Sequence, residues 1–265
     1  MKMDVVRRML GGGAFGCGFL AYAIFEGTAF PDVDVLWAIP LAIIALILGG
    51  LLIHRTVKRD EQRLKKLKDF AEQMGMEFSE KGDSALRESL SLFDLFKESQ
   101  IANVLHGDSE QLGYGEEFKV RILECSHKAA SVASDEYSTK TIVQTVICFH
   151  SPQLSLPRFG VRPEEWHHKL RSKLGYQDID FESHPTAVEF SKKYLLRGKD
   201  EQKIRALFTD TVLTFFSVDR DKVWLEGSGD QLISYQPGKL IEPEDIPAFM
   251  KEGFEVFRLF TQEQN

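Results

Sequence analysis

Residues 35–53 read VLWAIPLAIIALILGGLLI, and residues 54–68 follow as HRTVKRDEQRLKKLK. The first stretch is nineteen residues without a charge. A bilayer's hydrocarbon core of roughly 30 Å takes about 20 helical residues, so the run is long enough to cross one. Pro40 lies near its start, where a lost backbone hydrogen bond costs least. The run lacks the polar face that a surface helix of a soluble domain shows. The sequence therefore predicts a transmembrane helix over 35–53.

Upstream, Met9–Phe25 is a shorter uncharged run of seventeen residues, five of them glycine. It is predicted as a second span. Lys2, Arg7 and Arg8 would suit a cleaved signal peptide, but the cleavage site is poorly defined and another apolar run follows at once. Gly11, Gly13 and Gly16 spell G-x-G-x-x-G. That fingerprint needs a buried strand in front of it, and Arg7 and Arg8 stand there instead. Gly12 and Gly16, like Ala14 and Gly18, put small residues on one helix face, which allows close helix approach. The expected partner is the second span, with a homodimer contact as the alternative.

The flanks set the orientation. The loop Glu26–Asp34 carries Glu26, Asp32 and Asp34 and no Lys or Arg, whereas Arg55, Lys58, Arg59, Arg63, Lys65, Lys66 and Lys68 follow the second run. Lys and Arg accumulate on the cytoplasmic side. Both termini are thus expected in the cytoplasm of a multi-pass inner-membrane protein. Three parts are expected: a transmembrane hairpin over 1–54, a basic juxtamembrane helix over 55–75, and a cytoplasmic α+β domain over 76–265. The juxtamembrane helix has Leu64, Leu67, Phe70, Ala71 and Met74 at three- and four-residue steps. Its cations suit anionic lipid, and its apolar stripe suits docking on the domain.

Charge divides the same way. Of 33 Lys/Arg and 40 Asp/Glu, ten and six precede residue 69, leaving 23 and 34: a net of +4 and then of −11. An acidic domain lacks the clustered cations that phosphate contacts require, so no nucleic-acid partner is expected. Three cysteines do not make a disulfide framework.

In the domain, strands are predicted at Met76–Glu80, Ile101–His106, Phe118–Lys128, Thr141–Ser151 and Lys193–Arg197, with a loop at Ala129–Lys140. Phe159–Val161 extends the sheet, and Asp178–Glu182 is a short extended piece. Val223–Glu226 and Leu232–Gln236 form a hairpin across Gly227-Ser228-Gly229-Asp230. Helices are predicted over Ser84–Phe96, from Pro163 to Gly175, after Asp200 through Phe216, and from Pro243 onward. Helices between groups of hairpin strands indicate an α+β domain with a mainly antiparallel sheet. Helix, Gly and strand recur at 70–78 and 170–181, as a half-repeat would.

Candidate chemistry is sparse. Cys125-Ser-His127 and Cys148-Phe-His150 supply zinc-type ligands. A hairpin centred near Ser134 holds the two pairs about five residues apart, on the order of 17 Å at ~3.4 Å per residue. One zinc needs its ligands within about 2.0–2.3 Å. The expectation is therefore two structural cysteines and two surface histidines. His167 and His168 are adjacent on a helix and point about 100° apart. Asp178, Asp180 and Glu182 read as edge charges. Gly227-Ser228-Gly229 lacks the strand–turn–helix setting of a nucleophile elbow. No catalytic, cofactor-binding or metal residue is assigned.

Leu156-Pro157-Arg158-Phe159 with Arg162-Pro163-Glu164, then Asp178-Ile179-Asp180-Phe181, then Tyr194-Leu195-Leu196-Arg197-Gly198 with Asp200-Glu201 and Ile204-Arg205 together resemble an uncharacterised family of bacterial membrane-anchored proteins. The resemblance spans roughly residues 100–250 and implies a bacterial inner membrane. It implies no catalytic residue. The function expected is a non-enzymatic, membrane-tethered binding or scaffolding module whose partners are the lipid bilayer and a protein or a second copy. A membrane-bound hydrolase or transferase using Asp178, Asp180, His150 or His184, and an accessory subunit of a membrane complex, are the alternatives.

Overall fold

The computed structural model describes residues 35–133, 136–163, 177–181, 185–218 and 223–261. The expected first span, 9–25, and the helix predicted from Pro163 lie outside these residues. The chain divides into two compact units, at Lys66 and Leu67.

In the first unit the described chain is helical. It forms the greater part of α1, Val35–Gln73. Ile43, Ile44, Leu46, Ile47, Leu48, Leu51 and Leu52 are 52–72 % exposed. At 100° per residue they cover more than half the helix circumference. The side chains of 35–42, the first part of the expected second span, are not among those described. Among the described residues, no helix is long and apolar enough to cross a membrane.

The second unit is α+β. Its elements are β1 (Glu77–Lys81), α2 (Ser84–Leu90), a 3-10 turn (Asp94–Phe96), β2 (Gln100–Asp108), β3 (Lys119–Ala133), β4 (Glu136–His150), β5 (Leu156–Pro163), β6 (Gln177–Asp178), α3 (Pro185–Lys193), β7 (Tyr194–Gly198), α4 (Glu201–Leu207), α5 (Asp210–Ser217), β8 (Trp224–Gly229), β9 (Gln231–Tyr235), a second 3-10 turn (Pro243–Asp245) and α6 (Ile246–Thr261). Among the described residues, nine strands form one sheet in the order β1-β2-β3-β4-β9-β8-β5-β7-β6, and each described pairing is antiparallel.

Alternation along the strands gives the sheet two apolar faces. On the first, Val120, Ile122, Ile147, Phe149, Val161 and Leu225 join the larger core. The helices α3 to α6 cover this face, and the end of α1 adds Leu67 and Ala71. The stripe read in the juxtamembrane sequence thus ends in the domain's core. In α6, buried Ile246, Phe249, Met250, Phe254, Phe257 and Phe260 recur at helical spacing. The Phe257 ring stacks on Phe149 at 4.9 Å between centroids. On the second face, Leu123, Cys125, Val146, Cys148, Trp224, Ile233 and Tyr235 pack under Leu86, Leu90, Phe93 and Phe96 from α2 and the turn after it.

Several expected boundaries move, each for a packing reason. The helix predicted over Ser84–Phe96 ends at Leu90, because Phe93 turns extended and buries its ring. The helix predicted through Phe216 breaks at Phe208 and restarts at Asp210. The break points the Phe208 ring between Phe159, Phe190 and Phe260. The helix Pro185–Lys193 occupies a segment given no element from sequence up to residue 192, and it buries Ala187 and Phe190. The predicted loop 129–140 is largely strand: β3 and β4 stay in register out to Ala133 and Glu136. Their ladder carries residues of low strand propensity. Asp200 caps α4 by accepting from the Lys203 N–H at 3.1 Å. Gly229 opens the two-residue β8–β9 turn at φ 61, a conformation costly for other residues.

Gly198 sits where β7 passes under α4. A methyl group there would lie 2.0 Å from the Ile204 Cδ1 and 2.8 Å from the Arg158 carbonyl oxygen, which is backbone. Gly198→Ala is expected to lower stability by about 1–3 kcal/mol. Gly115→Ala, with nothing within 4 Å of the added carbon, should leave it nearly unchanged. Denaturant unfolding of the full chain in detergent, followed by tryptophan fluorescence, compares the two.

Candidate functional site

The sheet register decides the fate of the sequence-flagged residues. Cys125 lies opposite Gln144, and Cys148 lies opposite Arg121. The two cysteines share a face but sit four residue pairs apart along the hairpin, on the order of 14 Å at ~3.4 Å per residue. Both are buried and free. Burial pushes both thiols upward, Cys148 the more strongly. His150 pairs through its Nε2 with Asp230 at 3.0 Å. His127 is held neutral-leaning by burial, and its Nδ1 has no hydrogen-bond partner among the described residues. No group of three metal-ligating side chains occurs among those residues.

The acidic triplet is similarly dispersed. Asp178 forms a two-point pair with Arg197 on the next strand. Asp180 is exposed, and its carbonyl oxygen accepts from Arg205 Nη1 at 2.8 Å. Glu182, His184, His167 and His168 lie outside the described residues. Gly227-Ser228-Gly229 runs from strand into turn and back into strand.

The group that sequence reading missed is Glu226. It alternates with Trp224 on β8, opposite Ile233, and so points into the smaller core. Its side chain is 7 % exposed. One carboxyl oxygen accepts from the Tyr235 hydroxyl at 3.1 Å, and the other from the Asp94 backbone N–H at 3.3 Å. Arg162 on β5 places its guanidinium 4.7 Å from the Trp224 ring centroid and supplies the nearby positive charge. Asp94 also reaches Arg158 at 3.5 Å and Lys97 at 2.6 Å. An acidic residue two positions after Trp224, on the same face of a predicted strand, was the available signal.

Desolvation raises the Glu226 pKa above the ordinary carboxylate value, while Arg162 and the Tyr235 hydrogen bond oppose that rise. Tyr235 is pushed well above its usual range, by burial first and the Glu226 charge second. The arrangement fastens the Phe93–Phe96 turn to strands β8 and β9. It holds an acid, a phenol and a cation, but it is packed closed under that turn. A concave feature lies on the other face, where Leu112, Tyr114, Phe118, Phe149, Met250 and Phe254 line an apolar crevice of about 10 Å³. That is below the roughly 300 Å³ at which small-molecule pockets begin.

A carboxyl whose pKa is raised on folding destabilises the fold as pH climbs from its unfolded value through its folded one. The stability that the protonated form retains is complete below the ordinary carboxylate pKa and is lost above the raised one. Glu226→Gln removes this ionisation. The variant should therefore lose less stability than the parent as pH rises from about 4 toward neutrality. Tyr235→Phe leaves a buried carboxyl oxygen without its donor and is expected to cost about 1–3 kcal/mol. Denaturant midpoints across pH for the full chain in detergent measure both.

No family model matches the sequence, and no curated protein matches it. Among solved structures, the chain is similar to the crystal structure of the mycobacterial trehalose monomycolate transport factor A, TtfA. The identity is 14 %, the alignment covers 75 % of this chain and 92 % of that one, and the TM-score is 0.47. Function resides in sites rather than in chain course, so a likeness at this level transfers no residue roles.

Proposed function

We propose that this chain is a membrane-tethered, non-enzymatic binding or scaffolding module. In this reading, spans over 9–25 and 35–53 form an out-and-back hairpin in the bacterial inner membrane, and both termini and the α+β domain are cytoplasmic. The resemblance of the 156–164, 178–181 and 194–205 segments to membrane-anchored bacterial proteins points the same way.

One observation carries the reading. Ile43 to Leu52 present large apolar side chains, each more than half exposed, around most of a helix. In water such a surface would be strongly unfavourable, and a helix apolar on all sides belongs in a core or in lipid. The same helix continues without a break into Leu67 and Ala71 of the domain core. The binding role is favoured over catalysis by what the polar groups of the domain do. Glu226, Tyr235, Arg162, Asp94 and Asp178 are engaged with one another or with Arg197, Arg158 and Lys97, and the arrangement fixes strands and turns in place.

Topology is tested by reporter fusions. A reporter active only outside the cytoplasm should work when inserted in 26–34 and fail after residue 265. The opposite pattern would overturn the hairpin. For the scaffold role, the full chain extracted in mild detergent should carry defined protein partners on affinity purification. Recovery of the chain alone would count against it.

A further inference from the structure

The continuous helix α1 fixes how far each cation stands from the apolar run. From Ile53, a rise of ~1.5 Å per residue puts Arg55 at about 3 Å, Lys58 at about 7.5 Å and Arg59 at about 9 Å along the axis. Arg63, Lys65 and Lys66 begin at about 15 Å. The headgroup layer on each side of a bilayer is roughly 5–7 Å thick. Electrostatic attraction beyond it fades over about 8 Å at physiological salt. The first three cations stand inside that reach, and the later ones stand at or past its limit. Asp60 and Glu61 come between the two groups.

Helix geometry adds a direction. Each Cα–Cβ bond in a helix leans toward its N-terminus. Here that is the apolar end, so long cationic side chains on the first turns lean back toward the headgroups. Arg55, Lys58 and Arg59 are all exposed. At 100° per residue they span an arc of about 100°, enough for one side of the helix to meet several headgroups together.

We propose that Arg55, Lys58 and Arg59 form a binding site for anionic phospholipid headgroups of the bilayer entered by the preceding apolar helix, and that Arg63, Lys65 and Lys66 contribute little to it. The inference rests on the membrane-tether reading and names the lipid class that the tether selects. Each near-surface cation favours an anionic surface by about fivefold. The site gives the anchor a preference for anionic patches of the membrane surface.

The test reconstitutes the full chain in phosphatidylcholine vesicles and adds spin-labelled phosphatidylglycerol or spin-labelled phosphatidylcholine in turn. Electron spin resonance reads the fraction of each lipid immobilised against the protein. The expected result is a preference for phosphatidylglycerol of about fivefold or more that weakens in high salt. The triple change Arg55→Gln, Lys58→Gln, Arg59→Gln should bring the preference close to one. The triple change Arg63→Gln, Lys65→Gln, Lys66→Gln should keep more than half of it. Immobilised lipid without a phosphatidylglycerol preference, or equal losses in the two variants, would overturn the site while leaving the tether intact. No immobilised lipid of either kind would overturn both.

Discussion

The fifteen-residue antiparallel pairing of β3 with β4 is the constraint on which the domain depends. It runs in unbroken register from Lys119 opposite His150 to Ala133 opposite Glu136. A slip of one residue would turn every side chain to the other face. Val120, Ile122, Ile147 and Phe149 would then leave the helix-covered core, and Leu123, Cys125, Val146 and Cys148 would replace them. The two cores differ in size and in what covers them, so the slipped arrangement would fill neither. The ring contacts of Phe118 and Phe149 with Phe254 and Phe257 lock the register from the helix side.

The second face is held differently. A seven-residue helix and one 3-10 turn cover it, a small apolar area compared with four helices on the other side. The polar ties of Glu226 to Tyr235 and to the Asp94 amide supply direction that apolar packing alone does not. Burying a carboxyl is costly unless it is hydrogen-bonded and compensated. Here two donors and the Arg162 charge compensate it. Such a group favours one placement of the covering turn over its near alternatives.

How much of this was legible in the sequence follows from the range of each interaction. Strands at 101–106 and 118–128, the β8–β9 hairpin, the Asp200 cap and the inward face of the last helix were readable, because alternation, helical spacing and turn residues act over a few positions. The extension of β3 to Ala133 and of β4 back to Glu136 was not. Its Ala and Ser residues carry no strand signal, and the neighbouring ladder imposes the conformation. The breaks after Leu90 and at Phe208 were hidden for a similar reason: a helical pattern continues through both, and only distant rings reward the interruption. Separation of the two Cys–His pairs was foreseeable from hairpin geometry, with the register one residue from its expected centre. Glu226 looked like the end of a short strand, and its burial depends on β9, β5 and the 3-10 turn meeting above it.

By itself, the sequence determined the apolar run at 35–53, the cations that follow it, the split between a basic neck and an acidic domain, and the α+β class of that domain. These depend on composition and short-range periodicity, which the chain carries wherever it folds. The tertiary structure alone decided which core partners bury Leu67 and Ala71, read in the sequence only as part of an apolar stripe. It alone also placed Glu226 under the Phe93–Phe96 turn. Both outcomes require residues far apart in the chain to be close in space, and no local pattern encodes that proximity.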